Sequence, residues 1–450
     1  MTPELLARYA DSRLPRYTSY PTAPHFTPAI GPDTYAGWLA ELPDTATGSL
    51  YVHIPFCRRM CWYCGCNTVV TQRDEPIAVY LAALHREIAL TRDALARPLP
   101  VSHLHFGGGT PTILQPRDLG WLMAALRTAF PFRRDAEIAI EIDPRTLTAE
   151  MAATLGETGF TRASLGVQSL DPRVQAAIGR IQGFAATALA AERLHAAGVD
   201  ALNIDLIYGL PHQTVESAVA TVEACLALAP SRFAVFGYAH VPSFKHHQRK
   251  IDAAALPDAA ARHAQAEAIA ARLVAASCVR VGLDHFARPD DAMAIALAAN
   301  RLHRNFQGYT TDSADTLIGL GASSIGRLPQ GYVQNETRIG AYVEAVSAGR
   351  LATAKGVAFD EGDRLRGELI ERLMCDFRVD LDAVCASHGQ TSGSLADAAP
   401  ALDRLAADGL IRREGNRIEV EPDARPLVRA VAATFDAYLA RSTRTHSPTV

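Results

Sequence analysis

Leu50-Tyr51-Val52-His53-Ile54-Pro55-Phe56-Cys57-Arg58-Arg59-Met60-Cys61-Trp62-Tyr63-Cys64 is a β-rich run that opens straight into a loop of three cysteines. Three thiolates are one short of the four irons of a cubane 4Fe-4S cluster. The iron left over can bind a small molecule directly, which turns an electron relay into a Lewis-acidic site. A structural zinc site usually brings together two cysteine or histidine pairs from separated places in the sequence, whereas here the ligands are crowded into one loop. Cys66 offers a fourth thiolate, but Cys64-Gly65-Cys66 must turn sharply for both sulfurs to reach one metal. The repeated two-residue spacings and trailing Cys-Pro of a ferredoxin-like cluster are absent, and a disulfide reading lacks an export signal. The spacing favours the open-corner cluster.

Five more β-rich runs follow residues 50–54, at 103–106, 137–142, 163–167, 201–207 and 233–238. Between them, 77–92, 119–130, 184–197 and 214–228 show apolar residues at helical spacing. Parallel strands joined by right-handed helical crossovers curl into a doubly wound sheet or a barrel. Six units in continuous order predict an α/β fold, a partial (β/α)6 barrel. The loops after the strands of such a barrel gather on the face where active sites form. Each unusual motif falls there. The cysteine loop follows the first run, Gly107-Gly108-Gly109-Thr110-Pro111 the second, Glu141-Ile142-Asp143-Pro144 the third, Gly166-Val167-Gln168-Ser169 the fourth and Asp205-Leu206-Ile207-Tyr208-Gly209-Leu210-Pro211 the fifth.

Past the barrel, 257–276 reads as a helix, 279–283 as a strand, and 357–438 as mostly helical with a small hairpin spanning 409–412 and 418–420. The expected division is a short N-terminal segment (1–45), the barrel with its extensions (46–350) and a mostly helical C-terminal domain (351–450). A winged helical unit binds DNA when it is basic, but Asp and Glu recur through this one, which favours a lid or a substrate-facing cap.

Composition bounds the rest. The 450 residues are 48% hydrophobic and 20% charged, enough to bury a large core, and the net charge of -4 leaves no footprint for nucleic acid. Positive charge is carried almost wholly by arginine, which binds carboxylates through paired hydrogen bonds. Met1-Thr2-Pro3-Glu4-Leu5-Leu6-Ala7-Arg8 has no apolar core of signal-peptide length, and no stretch is long and uncharged enough to span a bilayer. The expected location is the cytoplasm, where thiols stay reduced and four cysteines in one loop favour metal ligation. Cys225, Cys278, Cys375 and Cys385 read as buried small residues.

The triple glycine lacks the Gly-Lys-Ser/Thr ending of a phosphate loop and the spacing of a dinucleotide fingerprint. Having no side chains, Gly107 to Gly109 let a ligand lie against the backbone, or simply make a tight turn ending in Pro111. Glu141 and Asp205 end strands at the same mouth, where carboxylates can accept hydrogen bonds from ribose hydroxyls or an ammonium; Gln168 and Arg180 can complete such a site. Tyr51 and Tyr63 flank the cysteine loop and can stack on an adenine or pack. S-adenosylmethionine (SAM) fits the open iron. Its amino and carboxylate groups can chelate that iron, so that an electron from the cluster cleaves a carbon-sulfur bond and gives a radical able to take hydrogen from unactivated carbon.

These features resemble the radical SAM superfamily, and within it the oxygen-independent coproporphyrinogen III oxidases. The likeness runs over nearly the whole chain: residues 15–23, Tyr51-Val52-His53-Ile54-Pro55-Phe56-Cys57, Cys64-Gly65-Cys66-Asn67, 107–112, 203–211, Asp284-His285-Phe286-Ala287-Arg288-Pro289 and 303–311. The resemblance implies a radical SAM barrel, a 4Fe-4S cluster on Cys57, Cys61 and Cys64, and two SAM molecules. Carried over by position, Tyr51, Gly108, Glu141 and Ile325 surround the iron-bound SAM, and Tyr63, Gly109, Thr110, Gln168, Arg180, Asp205 and Ala239 contact the second. Cys66 resembles a cysteine that the family requires without using it as a ligand, and is grouped with Tyr51 and Glu141 as catalytic.

The implied reaction converts two propionates of coproporphyrinogen III to vinyl groups, giving protoporphyrinogen IX. Hydrogen abstraction beside the ring is followed by loss of carbon dioxide and one electron. It implies a low-potential donor of flavodoxin or ferredoxin type, an electron acceptor of unknown identity, and a monomer. Arg288 and Arg304 are candidate partners for the anionic substrate. Phe106 stands where tryptophan is more usual, and the segment ahead of Pro15 is short, which bears on lid closure. Two relatives are the alternatives: a haem chaperone, against which Cys66 and 305–311 count, and a haem-degrading methyltransferase, against which 15–23 count.

Overall fold

The computed structural model describes residues 8, 9 and 13–439. Strands β1 (Gly48–Ile54), β2 (Val101–Gly108), β3 (Phe132–Ile142), β4 (Arg162–Gln168), β5 (Ala201–Tyr208) and β6 (Arg232–Gly237) lie side by side in chain order, all parallel. Helix α1 (Pro32–Ala40) precedes them. The crossovers are α2 (Glu75–Ala94), α3 (Pro116–Ala129), α4 (Ala149–Glu157), the pair α5 (Pro172–Ala177) and α6 (Phe184–Ala196), and α7 (Val215–Leu226); α8 (Ala259–Ala275) follows β6. Each strand expected from sequence is present, the longest discrepancy being β3, which starts at Phe132.

Fully covered parallel strands usually read as unbroken apolar runs, yet these alternate. Leu50, Val52 and Ile54 of β1, Leu104 and Phe106 of β2, and Leu202, Ile204 and Leu206 of β5 are buried in the core they share with the helices. The intervening residues, Tyr51, His53, His105, Glu141, Ser164 and Asp205 among them, belong to the opposite face by the two-residue period. The inner face is therefore polar: a lumen rather than a packed barrel core.

The sheet has twelve strands, because both sides of the six-strand unit are extended. Beyond β6 come β8 (His285–Ala287) and then β7 (Val279–Val281), antiparallel. Beside β1 lies β9 (Thr316–Leu320), parallel to it, then β10 (Ile325–Leu328), β11 (Gly331–Asn335) and β12 (Thr353–Ala358), antiparallel to one another. The edges β12 and β7 do not pair, so the barrel stays open. β12 lies past residue 350 yet belongs to this sheet, so a boundary at 350/351 would cut it from β11. The N-terminal segment is equally attached: Tyr35 and Leu39 of α1 enter the main core, and Tyr17 and Tyr20 pack with Leu365, Leu369 and Leu373.

At the amino ends of the strands, Arg162 and Arg232 share Glu137 and Asp291, with Arg232 Nε 2.6 Å from Asp291. Positive and negative groups are matched there. The C-terminal unit consists of Glu361–Asp376, Leu381–Ser387, Ala399–Ala407 and Val428–Ala432, with a three-stranded antiparallel sheet of Arg378–Asp380, Arg417–Val420 and Ile411–Glu414. The expected hairpin is two of those strands. Among the described residues, no helix is long and apolar enough to cross a membrane.

Candidate active site

The cysteine loop leaves the carboxyl end of β1 and is fastened to the next strand by backbone bonds: Gly109 N–H donates to Ile54 O (2.9 Å) and Thr110 N–H to Phe56 O (2.9 Å). Each of the three sulfurs receives donors. The hydroxyls of Thr68 and Thr110 lie 3.4 Å from Cys57 Sγ. Arg180 Nη1 lies 3.4 Å and Arg145 Nη2 3.7 Å from Cys61 Sγ, and the Cys66 N–H points to Cys64 Sγ at 3.4 Å. Burial pushes the Cys57 thiol up, opposed by its two hydroxyl donors. Hydrogen bonding from Cys66 lowers Cys64 and correspondingly raises Cys66. Such donors stabilise thiolate and tune the potential of a bound cluster.

Among the described residues, no three His, Cys, Asp or Glu side chains close on a point fit for one metal ion. A cube makes no such demand, since its thiolates bind three separate irons. Cys57, Cys61 and Cys64, with a donor on every sulfur, fit that group, and a cavity of 640 Å³ opens beside Cys57, Thr110, Asp143 and Arg145.

Tyr51, His53, His105 and Glu141 form the wall beneath the loop. The ring of His53 has Nε2 2.9 Å from Asn67 O and Nδ1 3.0 Å from Tyr51 Oη. A carbonyl only accepts, so Nε2 carries the proton and Nδ1 accepts from the Tyr51 hydroxyl. Burial depresses His53, which keeps the ring neutral, and raises Tyr51, which keeps the phenol protonated. Glu141 is fixed at both oxygens, by His105 Nε2 at 3.3 Å and by the Gly108 N–H at 3.2 Å. Ile325, at the start of β10, packs against Gly319, the register partner of Tyr51.

On the far wall, Asp205 accepts from Ser164 Oγ (2.7 Å) and Asn203 Nδ2 (2.7 Å); burial raises its carboxyl to about 6. Arg180, 6% exposed, donates to Gly166 O (2.7 Å) and faces Asp143. Gln168 turns through the left-handed region (φ 68°) at a strand irregularity, with its amide close to Gly166. Tyr63 and Ala239 are joined by one side chain: Gln248 Nε2 donates to Tyr63 O (3.0 Å) and Ala239 O (3.2 Å). Lys245 Nζ holds Cys66 O (2.9 Å) and His247 Nε2 holds Cys64 O (2.7 Å). The segment after β6 thus clamps the cysteine loop.

The glycines work differently from a bare ligand cradle. A Cβ on Gly109 would stand 2.5 Å from Phe56 O and Thr68 Oγ1, and one on Gly107 2.9 Å from Glu141 Oε1 and Tyr51 Oη. Their missing side chains admit the cysteine loop and the Tyr51–Glu141 pair. Sequence reasoning missed Arg145, His53, His105, Ser164 and Asn203, all polar residues on or near inward positions, and the Lys245–Gln248 clamp, which has no local signal. Of the arginines offered for the substrate, Arg288 is exposed, pairs with Asp290 (3.0 Å), and lies beyond the amino end of β6, away from the mouth.

Residues 51–225 match the radical SAM superfamily and 359–427 the HemN C-terminal domain. The chain is 56% identical, over the whole of both proteins, to the oxygen-independent coproporphyrinogen III oxidase of Bradyrhizobium diazoefficiens. It is 44% identical, over 95% of each, to the protein of that name from Paracoccus denitrificans. A solved structure of coproporphyrinogen III oxidase (HemN) from Escherichia coli, described as a radical SAM enzyme, superposes with a TM-score of 0.90 at 37% identity, over 95% of this chain and 100% of that one.

Proposed function

We propose that this chain, which belongs to the oxygen-independent coproporphyrinogen III oxidases of the radical SAM superfamily, oxidatively decarboxylates two propionates of coproporphyrinogen III to vinyl groups, giving protoporphyrinogen IX for haem biosynthesis. The observation that carries this reading is a trio of donor-supplied thiolates at the mouth of a polar lumen, in a chain alike over its full length to proteins of that name. When bound, the 4Fe-4S cluster and SAM supply a carbon-centred radical able to take hydrogen from a C–H bond.

The chain's own residues hold and orient. Cys57, Cys61 and Cys64 are the proposed ligands. Arg145 and Arg180 put positive charge against Cys61 Sγ. Glu141, immobilised by His105 and the Gly108 N–H, presents remaining acceptor positions to a ribose or ammonium, with Tyr51, Gly108 and Ile325 around it. A second SAM is proposed beside Tyr63, Gly109, Thr110, Gln168, Arg180, Asp205 and Ala239, where Asp205 offers a carboxylate. Cys66, Tyr51 and Glu141 are proposed to face the reacting atoms; the Cys66 thiol is near enough to Glu141 for its charge to act on it.

The exposed Arg59 and Arg73 beside the cysteine loop suit an acidic electron donor of flavodoxin or ferredoxin type. Eight cysteines without a disulfide among them suit the cytoplasm, and a monomer is the proposed active state. We put the division between barrel and C-terminal unit after Ala358, where β12 ends.

The test is anaerobic: reconstitute the protein with iron and sulfide, add reductant, SAM and coproporphyrinogen III, and follow 5′-deoxyadenosine and, after oxidation, protoporphyrin IX. Both are expected. SAM cleavage with no decarboxylated porphyrin would reject the substrate while sparing the superfamily.

A further inference from the structure

Between the carboxyl ends of β5 and β6, helix α8 and the C-terminal unit lies a cavity of 320 Å³ into which Arg16, Arg262, Arg304 and Arg429 converge from four distant parts of the chain. The guanidinium groups face two carboxylates there, and both are already engaged, Glu267 by Arg280 at 3.3 Å and Asp284 by His285 Nδ1 at 2.7 Å. Among the described residues, Arg16, Arg262 and Arg304 have no carboxylate within ion-pair distance. The Nε and Nη1 of Arg304 are buried with no hydrogen-bond partner while its guanidinium lies over the Tyr309 ring at 4.4 Å. Arg262 lies over Tyr208 at 5.7 Å. Arg429 is 8% exposed and donates to Leu14 O. Burial and the neighbouring Arg16 push Arg429 down to about 10, a sign that these charges repel one another. The opposite end of the barrel, where Arg162 and Arg232 are matched to Glu137 and Asp291, carries no such excess.

We propose that this basin binds the propionate carboxylates that the reaction retains, and thereby determines which two side chains of coproporphyrinogen III reach the radical. The proposal rests on the function given above and adds the residues that orient its substrate. Buried donors without acceptors and an uncompensated positive charge call for an anion with several oxygens. A carboxylate gripped by guanidinium groups is stabilised as the anion, and losing it as carbon dioxide would forfeit that stabilisation. An arginine basin is thus suited to carboxylates that stay. The two retained propionates of the type III isomer sit on neighbouring rings and can enter one opening together. That opening adjoins the radical chemistry, because Ala239 on the rim of the cavity shares Gln248 with Tyr63 of the cysteine loop.

The experiment uses the anaerobic full-length protein and three variants, Arg262→Gln, Arg304→Gln and Arg288→Gln, titrated with coproporphyrin III, the stable oxidised analogue, by fluorescence quenching, alongside turnover. The first two are expected to weaken binding about ten-fold or more, and to do so less at high salt, as for loss of a charge-assisted contact. They should leave iron content unchanged and spread the products over decarboxylation isomers that the wild type does not make. Arg304→Lys should recover part of the affinity, and Arg288→Gln should bind as the wild type. Unaltered affinity and unaltered product pattern in both Arg262→Gln and Arg304→Gln, with a wild type that makes protoporphyrinogen, would overturn the basin and leave the function standing. A wild type that cleaves SAM and makes no protoporphyrinogen would overturn both.

Discussion

Replacing Gly109 by alanine adds one methyl group at the tightest point between β2 and the cysteine loop. Its Cβ would stand 2.5 Å from Phe56 O and Thr68 Oγ1 and 2.8 Å from the Phe56 carbonyl carbon. Carbon and oxygen settle no closer than ~3.3 Å, so one side must withdraw by about 0.8 Å. The side that moves carries Cys57, next after Phe56. The Thr68 and Thr110 hydroxyls that now sit 3.4 Å from Cys57 Sγ would be drawn out of bonding range. Overpacking of this kind costs ~1–3 kcal/mol, and each neutral hydrogen bond lost adds about 1 kcal/mol. A destabilisation of ~3–5 kcal/mol, concentrated on the loop that holds the cluster, is the expected total. Iron and acid-labile sulfide per chain after anaerobic reconstitution should fall well below wild type, and the urea midpoint should drop with it. Gly120 in α3 supplies the control, since nothing lies within 4 Å of its Cβ position. Gly120→Ala should keep full iron and gain roughly 0.5–1 kcal/mol from helix propensity. If Gly109→Ala retained as much iron and stability as Gly120→Ala, the argument from close packing would be refuted.

Three further outcomes are expected. Burial raises the Asp205 carboxyl to about 6, against hydrogen bonds from Ser164 and Asn203, so its charge is present above pH 6 and lost below it. Affinity for SAM should therefore fall between pH 7 and 5 in the wild type and stay flat in Asp205→Asn, as equilibrium dialysis would read; parallel profiles would exclude Asp205 from the site. Burial likewise raises Glu87 to about 7, despite donors from Tyr342, Gly321 and Asn335. Because the folded state holds this proton more tightly, the group's contribution is fully present below pH ~4.5 and is lost as pH rises to ~7. Relative to Glu87→Gln, the wild type should lose ~3 kcal/mol between pH 4.5 and 8, measured by urea denaturation; a constant difference would refute it. Gln248, 1% exposed, clamps Tyr63 O and Ala239 O, and Gln248→Ala leaves both carbonyls unpaired at a cost of ~1–3 kcal/mol. Its cluster should bleach several-fold faster in air than the wild type, and equal bleaching would show that the clamp is dispensable.

Each link from sequence to structure had its own strength. Residues 201–207 and β5 (Ala201–Tyr208) nearly coincide, as do 184–197 and α6, because a buried strand or amphipathic helix needs a run of apolar residues that is local in sequence. The cysteine loop and its place after β1 were equally plain. Of the extensions, β7 was read within 279–283, but the others were not. β8 and β10 are three or four residues long, too short for any period to show, and exist because the open edges of a six-strand sheet expose unpaired backbone groups. The polar inner face was present in the text of the strands, in His103-Leu104-His105-Phe106 and Asn203-Ile204-Asp205-Leu206, but reads as a lumen only once the strands are known to curl.

Local patterns alone determined the parallel β-α core, the open-corner cysteine trio and the glutamate and aspartate at strand ends, since each is written within a few consecutive residues. Only the tertiary structure decided which donors reach Cys61 Sγ, that Arg288 faces away from the mouth, and that Arg16, Arg262, Arg304 and Arg429 share one cavity. Such meetings join residues far apart in the chain, and the chain carries no short-range signal for them because the energy that selects them exists only after the core has closed.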